Sequence, residues 1–285
     1  MRKLLLQLDT TAIPSVFDRV VAYDGGADEI ISCSGVTEEN VRDLVHGAIF
    51  TRGPKDLHDT AIFIGGTDMA AGERILKAVK ETFFGPMRVS VMLDSNGSNT
   101  TAVAAVVKLQ QAGDVRNRRT VVTAATGPVG MRAAGLLAQA GASVTVTSRR
   151  AEGGAKLAGD IKQRFGSTVE PITMADASQA AGVLEGCELL LSAGGFGVKL
   201  VPREAWARRP GLRAAADVNA VPPLGIEGIE ATDNGVDREG VMAFGALGIG
   251  GLKMKLHKAC VAKLFERNDL VLDAESILEV ARTLS

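Results

Sequence analysis

The residues of this chain best suited to chemistry are small, polar or basic, and the first group is a glycine turn. In Thr123-Ala-Ala125-Thr126-Gly127-Pro128-Val129-Gly130-Met-Arg132, the spacing is that of a strand-to-helix turn that holds a pyrophosphate. Gly127 lets the backbone approach the phosphates and Gly130 lets helix and strand pack closely. The free amides at the helix start supply the anion site. Ala125 stands where the fingerprint has its first glycine, and alanine is small enough for many such turns. At the end of the next strand, Ser148-Arg149-Arg150 has no acid before Glu152. A carboxylate there would accept from the ribose 2′-hydroxyl of NAD and repel a 2′-phosphate, whereas a guanidinium binds that phosphate bidentately. The expected cofactor is NADP, with NAD as the weaker alternative. The competing reading is a pair of solvated arginines at a helix start, where the dipole disfavours them. Ala193 and Asn219 fall at the ends of two later strands and are expected to line the ribose and nicotinamide path. Asp217 and Asn219 read equally well as organisers of the Pro222-Pro223 turn.

A second group is the loop Asp94-Ser95-Asn96-Gly97-Ser98-Asn99-Thr100-Thr101. Its dense donors and acceptors lie where a parallel strand ends and a helix begins, which is where ligands bind in open α/β sheets. A polar connection with a helix cap is the plain alternative; the density favours substrate binding. No Ser/His/Asp triad, HExxH or paired-carboxylate arrangement is present. The three histidines, His46, His58 and His257, lack ligand spacing and read as structural or surface residues. Cys33, Cys187 and Cys260 form no CxxC and read as small buried hydrophobes in a reducing compartment, with no metal site.

The elements that must position these groups alternate regularly. Strands are expected at 3–9, 29–34, 60–64 and 88–93, with helices beginning at Ser15, at Thr37 (a capping threonine followed by acids) and at Asp68. A helix from about residue 100 to 111 leads to a second series of strands at 120–125, 143–148, 169–173, 188–193 and 212–218. Residues 245–267 are helical in pattern, and 273–284 form a last amphipathic helix. Such alternation means right-handed βαβ units on parallel sheets. The fold class is therefore α/β in two domains, an N-terminal parallel α/β domain and a Rossmann-type dinucleotide-binding domain with a cleft between them. Residues 1–104, completed by the C-terminal helix 268–285, make the first, and 105–267 the second.

Length and composition agree with this. The chain has 285 residues, long for one domain. It is 46% hydrophobic but only 4% aromatic, suiting helices packed closely on parallel sheets. A formal net charge of -1 gives no ground for nucleic acid or an anionic membrane as partner. The N-terminal apolar run is too short for a signal peptide and no stretch nears the roughly 18 apolar residues of a membrane span, so a cytoplasmic protein is expected.

Several strings together resemble bacterial methylene-tetrahydromethanopterin dehydrogenase. They are Tyr23-Asp-Gly-Gly-Ala-Asp28, Gly65-Gly-Thr-Asp-Met-Ala-Ala-Gly-Glu73, Leu93-Asp-Ser-Asn-Gly-Ser-Asn-Thr-Thr101, Thr126-Gly-Pro-Val-Gly-Met-Arg132, Asp217-Val-Asn-Ala-Val-Pro-Pro-Leu-Gly225 and Phe244-Gly-Ala-Leu-Gly-Ile-Gly-Gly-Leu-Lys253. The similarity spans essentially the whole chain. It implies hydride transfer from the methylene bridge of a reduced pterin one-carbon carrier to NADP, in the one-carbon metabolism of methylotrophic bacteria. It also implies a homo-oligomer built from trimers. Where relatives often carry a further basic residue after the match to Arg149, this chain has Gly153. Lys253, which alone reads as an exposed helix residue, matches the family's active-site lysine. It is the expected catalytic group, its ammonium binding the carrier and tuning the developing positive charge. Expected substrate contacts are Asp18, Asp94, Asn96, Ser98, Asn99 and Thr101, although Asp18 equally reads as a solvated helix acid. Alternative functions are a methylene-tetrahydrofolate dehydrogenase or other enzyme of the same fold, and a non-catalytic NADP-binding regulator.

Overall fold

In the computed structural model, which describes residues 1–284, the chain runs through alternating strands and helices. First come β1 (Leu4–Asp9), α1 (Val16–Asp24), β2 (Glu29–Cys33), α2 (Val41–Phe50), β3 (Thr60–Gly65), α3 (Met69–Thr82), β4 (Ser90–Leu93) and α4 (Ser98–Gln110). Then follow β5 (Arg119–Thr123), α5 (Pro128–Gln139), β6 (Ser143–Ser148), α6 (Ala151–Phe165), β7 (Glu170–Thr173), α7 (Ala180–Val183), β8 (Leu189–Ser192), α8 (Arg203–Trp206) and β9 (Ala214–Asp217). The last elements are β10 (Asn234–Arg238), β11 (Val241–Phe244), α9 (Ala246–Leu264), β12 (Val271–Leu272) and α10 (Ala274–Arg282). Ser285, the end of the expected C-terminal helix, lies outside the described residues.

Two compact units result, Met1–Thr100 with the segment from Met254 onward, and Thr101–Lys253. Each unit has its own sheet. The first sheet is parallel, in the order β12-β4-β3-β1-β2. Its strands are apolar runs because helices cover both faces of such a sheet; every residue of β3 and β4 is buried. Leu8, Ile49, Ile62, Ile75 and Val91 form the heart of the core. Helix starts follow capping chemistry. The Ser15 hydroxyl accepts from the Asp18 amide at 3.1 Å, and the Asp68 carboxylate from the Ala70 and Ala71 amides at 2.8 and 3.2 Å.

The second sheet has the order β10-β11-β9-β8-β5-β6-β7, parallel except for β10. Two departures from the sequence expectation are physical. Thr37 does not cap α2: the helix begins at Val41, and the Thr37 amide donates to Asn40 Oδ1 at 2.9 Å in a preceding turn. The hairpin of β10 and β11 escapes a strand reading because β10 is polar, largely exposed and at the sheet edge. Its turn uses the left-handed residues Glu239 (φ 56) and Gly240 (φ 84), which suits a two-residue hairpin.

The division between units also falls earlier than the expected 267/268. Residues 254–267 belong to the first unit because the second half of α9 is buried there. His257 stacks on Phe63 with ring centroids 5.4 Å apart, and Gly25 leaves room for Val261, whose Cβ would be 2.7 Å from a Cβ at position 25. A single long helix hides such a boundary, since its periodicity does not change where its neighbours do.

Candidate active site

In the second unit, the turn between β5 and α5 is built for close approach. Ala124 takes the left-handed conformation (φ 49), and its amide donates to Thr147 Oγ1 at 3.0 Å. Ala125 is fully buried and has no positive φ, so alanine serves in place of glycine. A Cβ at Gly130 would lie 2.7 Å from Ala125 Cα and 3.0 Å from Ala193 Cβ. The helix therefore rests directly on the turn, and even a methyl group at 130 would force it away, costing about 1–3 kcal/mol by overpacking. Gly127 caps α5 without a side chain and Pro128 follows at its first position. The amides of the opening turn, which have no partner within the helix, face toward whatever occupies the turn. Thr126 and Val129 flank these glycines in the same turn. Ala193, half-buried, forms part of the wall against Gly130.

At the end of β6, Ser148 is buried, and its Oγ accepts from the Arg150 amide at 3.2 Å and donates to the Arg150 carbonyl. This fixes the backbone that carries two exposed arginines. Among the described residues neither Arg149 nor Arg150 forms an ion pair. Arg150 is also the N-cap of α6, extended (φ -134, ψ 144) and without a side-chain capping bond. A Cβ at Gly153 would lie 3.3 Å from Ser148 Oγ, so the bare glycine keeps the first turn of α6 open beside the arginines. Unopposed guanidiniums beside a helix start fit an anion such as a ribose phosphate.

At the ends of β8 and β9, Asp217 and Asn219 are bonded within the protein. Asp217 is buried and accepts from the amides of Asn219 (3.0 Å) and Ile226 (2.8 Å). Burial pushes its carboxyl above the usual range, while these amides oppose the shift. The Asn219 side chain donates to the carbonyls of Pro223 (3.2 Å) and Gly195 (3.4 Å) and accepts from the Val221 amide at 3.0 Å. Both side chains organise the Pro222-Pro223 turn and tie it to the loop after β8.

In the first unit, the connections diverge between β1 and β3, the switch point of the sheet. The loop after β4 is more inward than its composition suggests. Asp94 accepts from the amides of Asn99 (2.9 Å) and Thr100 (3.0 Å) and from Thr100 Oγ1 (2.6 Å), and so caps α4. Asn99 Nδ2 donates to the Leu93 carbonyl at 2.5 Å. Asp94, Ser98 and Asn99 are buried, whereas Asn96 is exposed with φ 55 and Thr101 is half-buried. The Ser98 hydroxyl has no hydrogen-bond partner among the described residues. Asp18 sits on the first turn of α1. A Cβ at Gly65, the last residue of β3, would lie 3.7 Å from Asp18 Oδ2 and 3.3 Å from Asp9 Oδ2. Two carboxylates thus converge on the end of β3. Sequence reasoning missed Asp9, a lone acid at the end of β1 with no spacing to mark it.

Lys253 is half-buried on α9, and Lys255 is exposed. Gly248, Gly250 and Gly251, which precede Lys253, lie inside α9, and Gly245 lies just before it. Gly245 and Gly248 are required by packing, since a Cβ would fall 2.0 Å from the Glu230 carbonyl oxygen and 2.1 Å from that of Asp233. Gly250 and Gly251 have open space above them. Cys187 and Cys260 are buried, and burial holds the Cys187 thiol up at about 12; neither is a nucleophile at neutral pH.

A parallel sheet entered through a glycine turn, with an exposed arginine pair after the next strand, has the architecture of a Rossmann-type oxidoreductase. A solved structure of 5-ketofructose reductase from Gluconobacter shares the fold, with a TM-score of 0.56 and 14% identity over 100% of this chain and 99% of that one. Residues 16–96 match a family model described as methylene-tetrahydromethanopterin dehydrogenase, N-terminal. Two relatives come from Methylorubrum extorquens. A protein described as bifunctional protein MdtA is 51% identical over 100% of this chain and 99% of its own. An NAD(P)-dependent methylenetetrahydromethanopterin dehydrogenase is 32% identical, over 98% of each. The chain belongs to the methylene-tetrahydromethanopterin dehydrogenase family.

Proposed function

We propose that the protein oxidises methylene-tetrahydromethanopterin to the methenyl form by hydride transfer to NADP. In a chain of this family, the observation that carries the choice of cofactor is the unopposed pair Arg149 and Arg150 beside the glycine turn. Residues Thr126 to Gly130 hold the pyrophosphate, Ser148 fixes the backbone at the ribose, and the loops carrying Ala193 and Asn219 border the nicotinamide path. NADP, when bound, supplies the ring that accepts the hydride; NAD is the weaker alternative.

The reacting carbon lies between two nitrogens, so hydride loss leaves a resonance-stabilised amidinium-like cation. That carbon releases no proton, and the chain needs to orient the carrier and manage charge rather than supply a strong base. Lys253 is the group assigned to charge, its side chain binding the carrier beside the developing cation. Asn96, which is exposed, and the half-buried Asp18 and Thr101 are the proposed substrate contacts, with the orphaned Ser98 hydroxyl as a further donor. Asp94 and Asn99 support that loop from within.

The protein is further read as a cytoplasmic homo-oligomer built from trimers. No helix among the described residues is long and apolar enough to cross a membrane. The exposed apolar side chains Val16, Val20 and Tyr23 on α1 supply surface for self-association. Purified protein mixed with methylene-tetrahydromethanopterin and NADP should give a rising NADPH absorbance. Folded protein that leaves NADP unreduced would overturn the proposal, and reduction with methylene-tetrahydrofolate alone would reassign the carrier.

A further inference from the structure

Strand β1 carries two polar residues, Gln7 and Asp9, at neighbouring positions on one face, and both are buried. Polar side chains are placed inside a sheet only where their bonds are made. Both reach toward the same residue. Asp9 Oδ2 accepts from the Ser15 amide at 3.0 Å, and Gln7 Nε2 donates to the Ser15 carbonyl at 3.1 Å. Asp9 Oδ1 also accepts from the amide (2.8 Å) and hydroxyl (2.5 Å) of Thr11, closing the loop between strand and helix. Gln7 is itself held, its Oε1 accepting from Ser32 Oγ at 2.7 Å.

Ser15 is the N-cap of α1, and its hydroxyl accepts from the amide of Asp18. A continuous set of bonds therefore runs from the interior of the sheet to the residue whose carboxylate lies over the end of β3. A cap alone needs only the serine hydroxyl. The extra fixing of both backbone groups of Ser15 sets the rotation and height of the first turn of α1, and with them the direction of Asp18.

We propose that Asp9, assisted by Gln7, is a positioning residue that aims the Asp18 carboxylate at the N–H-rich edge of the pterin carrier. The inference rests on the functional reading above and adds to it a residue that touches no ligand. A fixed carboxylate binds a two-donor edge more tightly than a mobile one, because the ordering is done before the carrier arrives. An Asp9→Asn variant replaces one acceptor oxygen by a donor and breaks the bond to the Ser15 or Thr11 amide.

The test is a double-mutant cycle of Asp9→Asn with Asp18→Asn, followed by steady-state kinetics, NADP binding and thermal melting. Loss of a charge-assisted bond to the carrier predicts a KM for methylene-tetrahydromethanopterin raised about tenfold in Asp9→Asn, with kcat little changed. NADP affinity should not move. In the Asp18→Asn background the same substitution should raise KM no further, since the group it aims is gone. A lowered melting temperature with unchanged KM, or losses that multiply in the double variant, would overturn the inference while leaving the functional reading intact. Gln7→Met provides the same non-additivity test if Asp9→Asn does not fold. Wild-type protein without turnover would defeat both.

Discussion

Replacing Lys253 with alanine is expected to lower kcat for NADP reduction on the order of a hundredfold, the scale seen when one preorganised charge-stabilising group is removed. NADP affinity should remain near the wild-type value, because the phosphate-binding elements lie on β5, α5 and β6. The informative companion is Lys253→Arg. A guanidinium keeps its positive charge at all working pH values, whereas an ammonium can lose its proton. If the lysine responds to the cation forming on the carrier, arginine restores little of the lost rate. Stopped-flow measurement of NADPH formation separates this step from product release. Activity unaffected by Lys253→Ala would remove the residue from the mechanism and favour a protein that binds NADP without using it.

The second large effect concerns the cofactor. Arg149→Ala should reduce the ratio of kcat/KM for NADP to that for NAD by at least about tenfold, or about 1.4 kcal/mol. Arg149 is exposed and, among the described residues, forms no ion pair, so the substitution should leave the melting temperature close to wild type. A specificity change without a stability change is the signature of a residue kept for its ligand. An unaltered ratio would place the 2′-phosphate elsewhere.

The order of strands and the cofactor turn were legible because they depend on local signals. An apolar β-branched run, the Gly127 and Gly130 spacing and a following apolar helix occur together at β5 and α5, and the family strings add the substrate. The polar loop after β4 was harder. Composition marks Asp94 and Asn99 as hydrogen-bonding groups but not which way they face, and the structure turns both inward to cap α4 and tie the strand. The same limit applies to Asn219, whose side-chain amide is engaged by the turn that follows it. Asp9 was invisible for the opposite reason, since a lone acid after an apolar run carries no spacing. Its role exists only once Ser15 and Asp18 are brought beside it.

Between β9 and the bridge that Ile226 makes with Val201, residues 218–225 form an irregular loop, yet the amides of Asn219, Val221 and Ile226 are held by the side chains of Asp217 and Asn219. Amide protons in such loops usually exchange with solvent deuterium almost at once, because opening them disrupts little. Here, release of the Asn219 or Ile226 proton requires a buried carboxyl to give up its acceptor role. Those two amides should exchange on the slow timescale of the neighbouring strands, so that this loop behaves as core even before any cofactor binds.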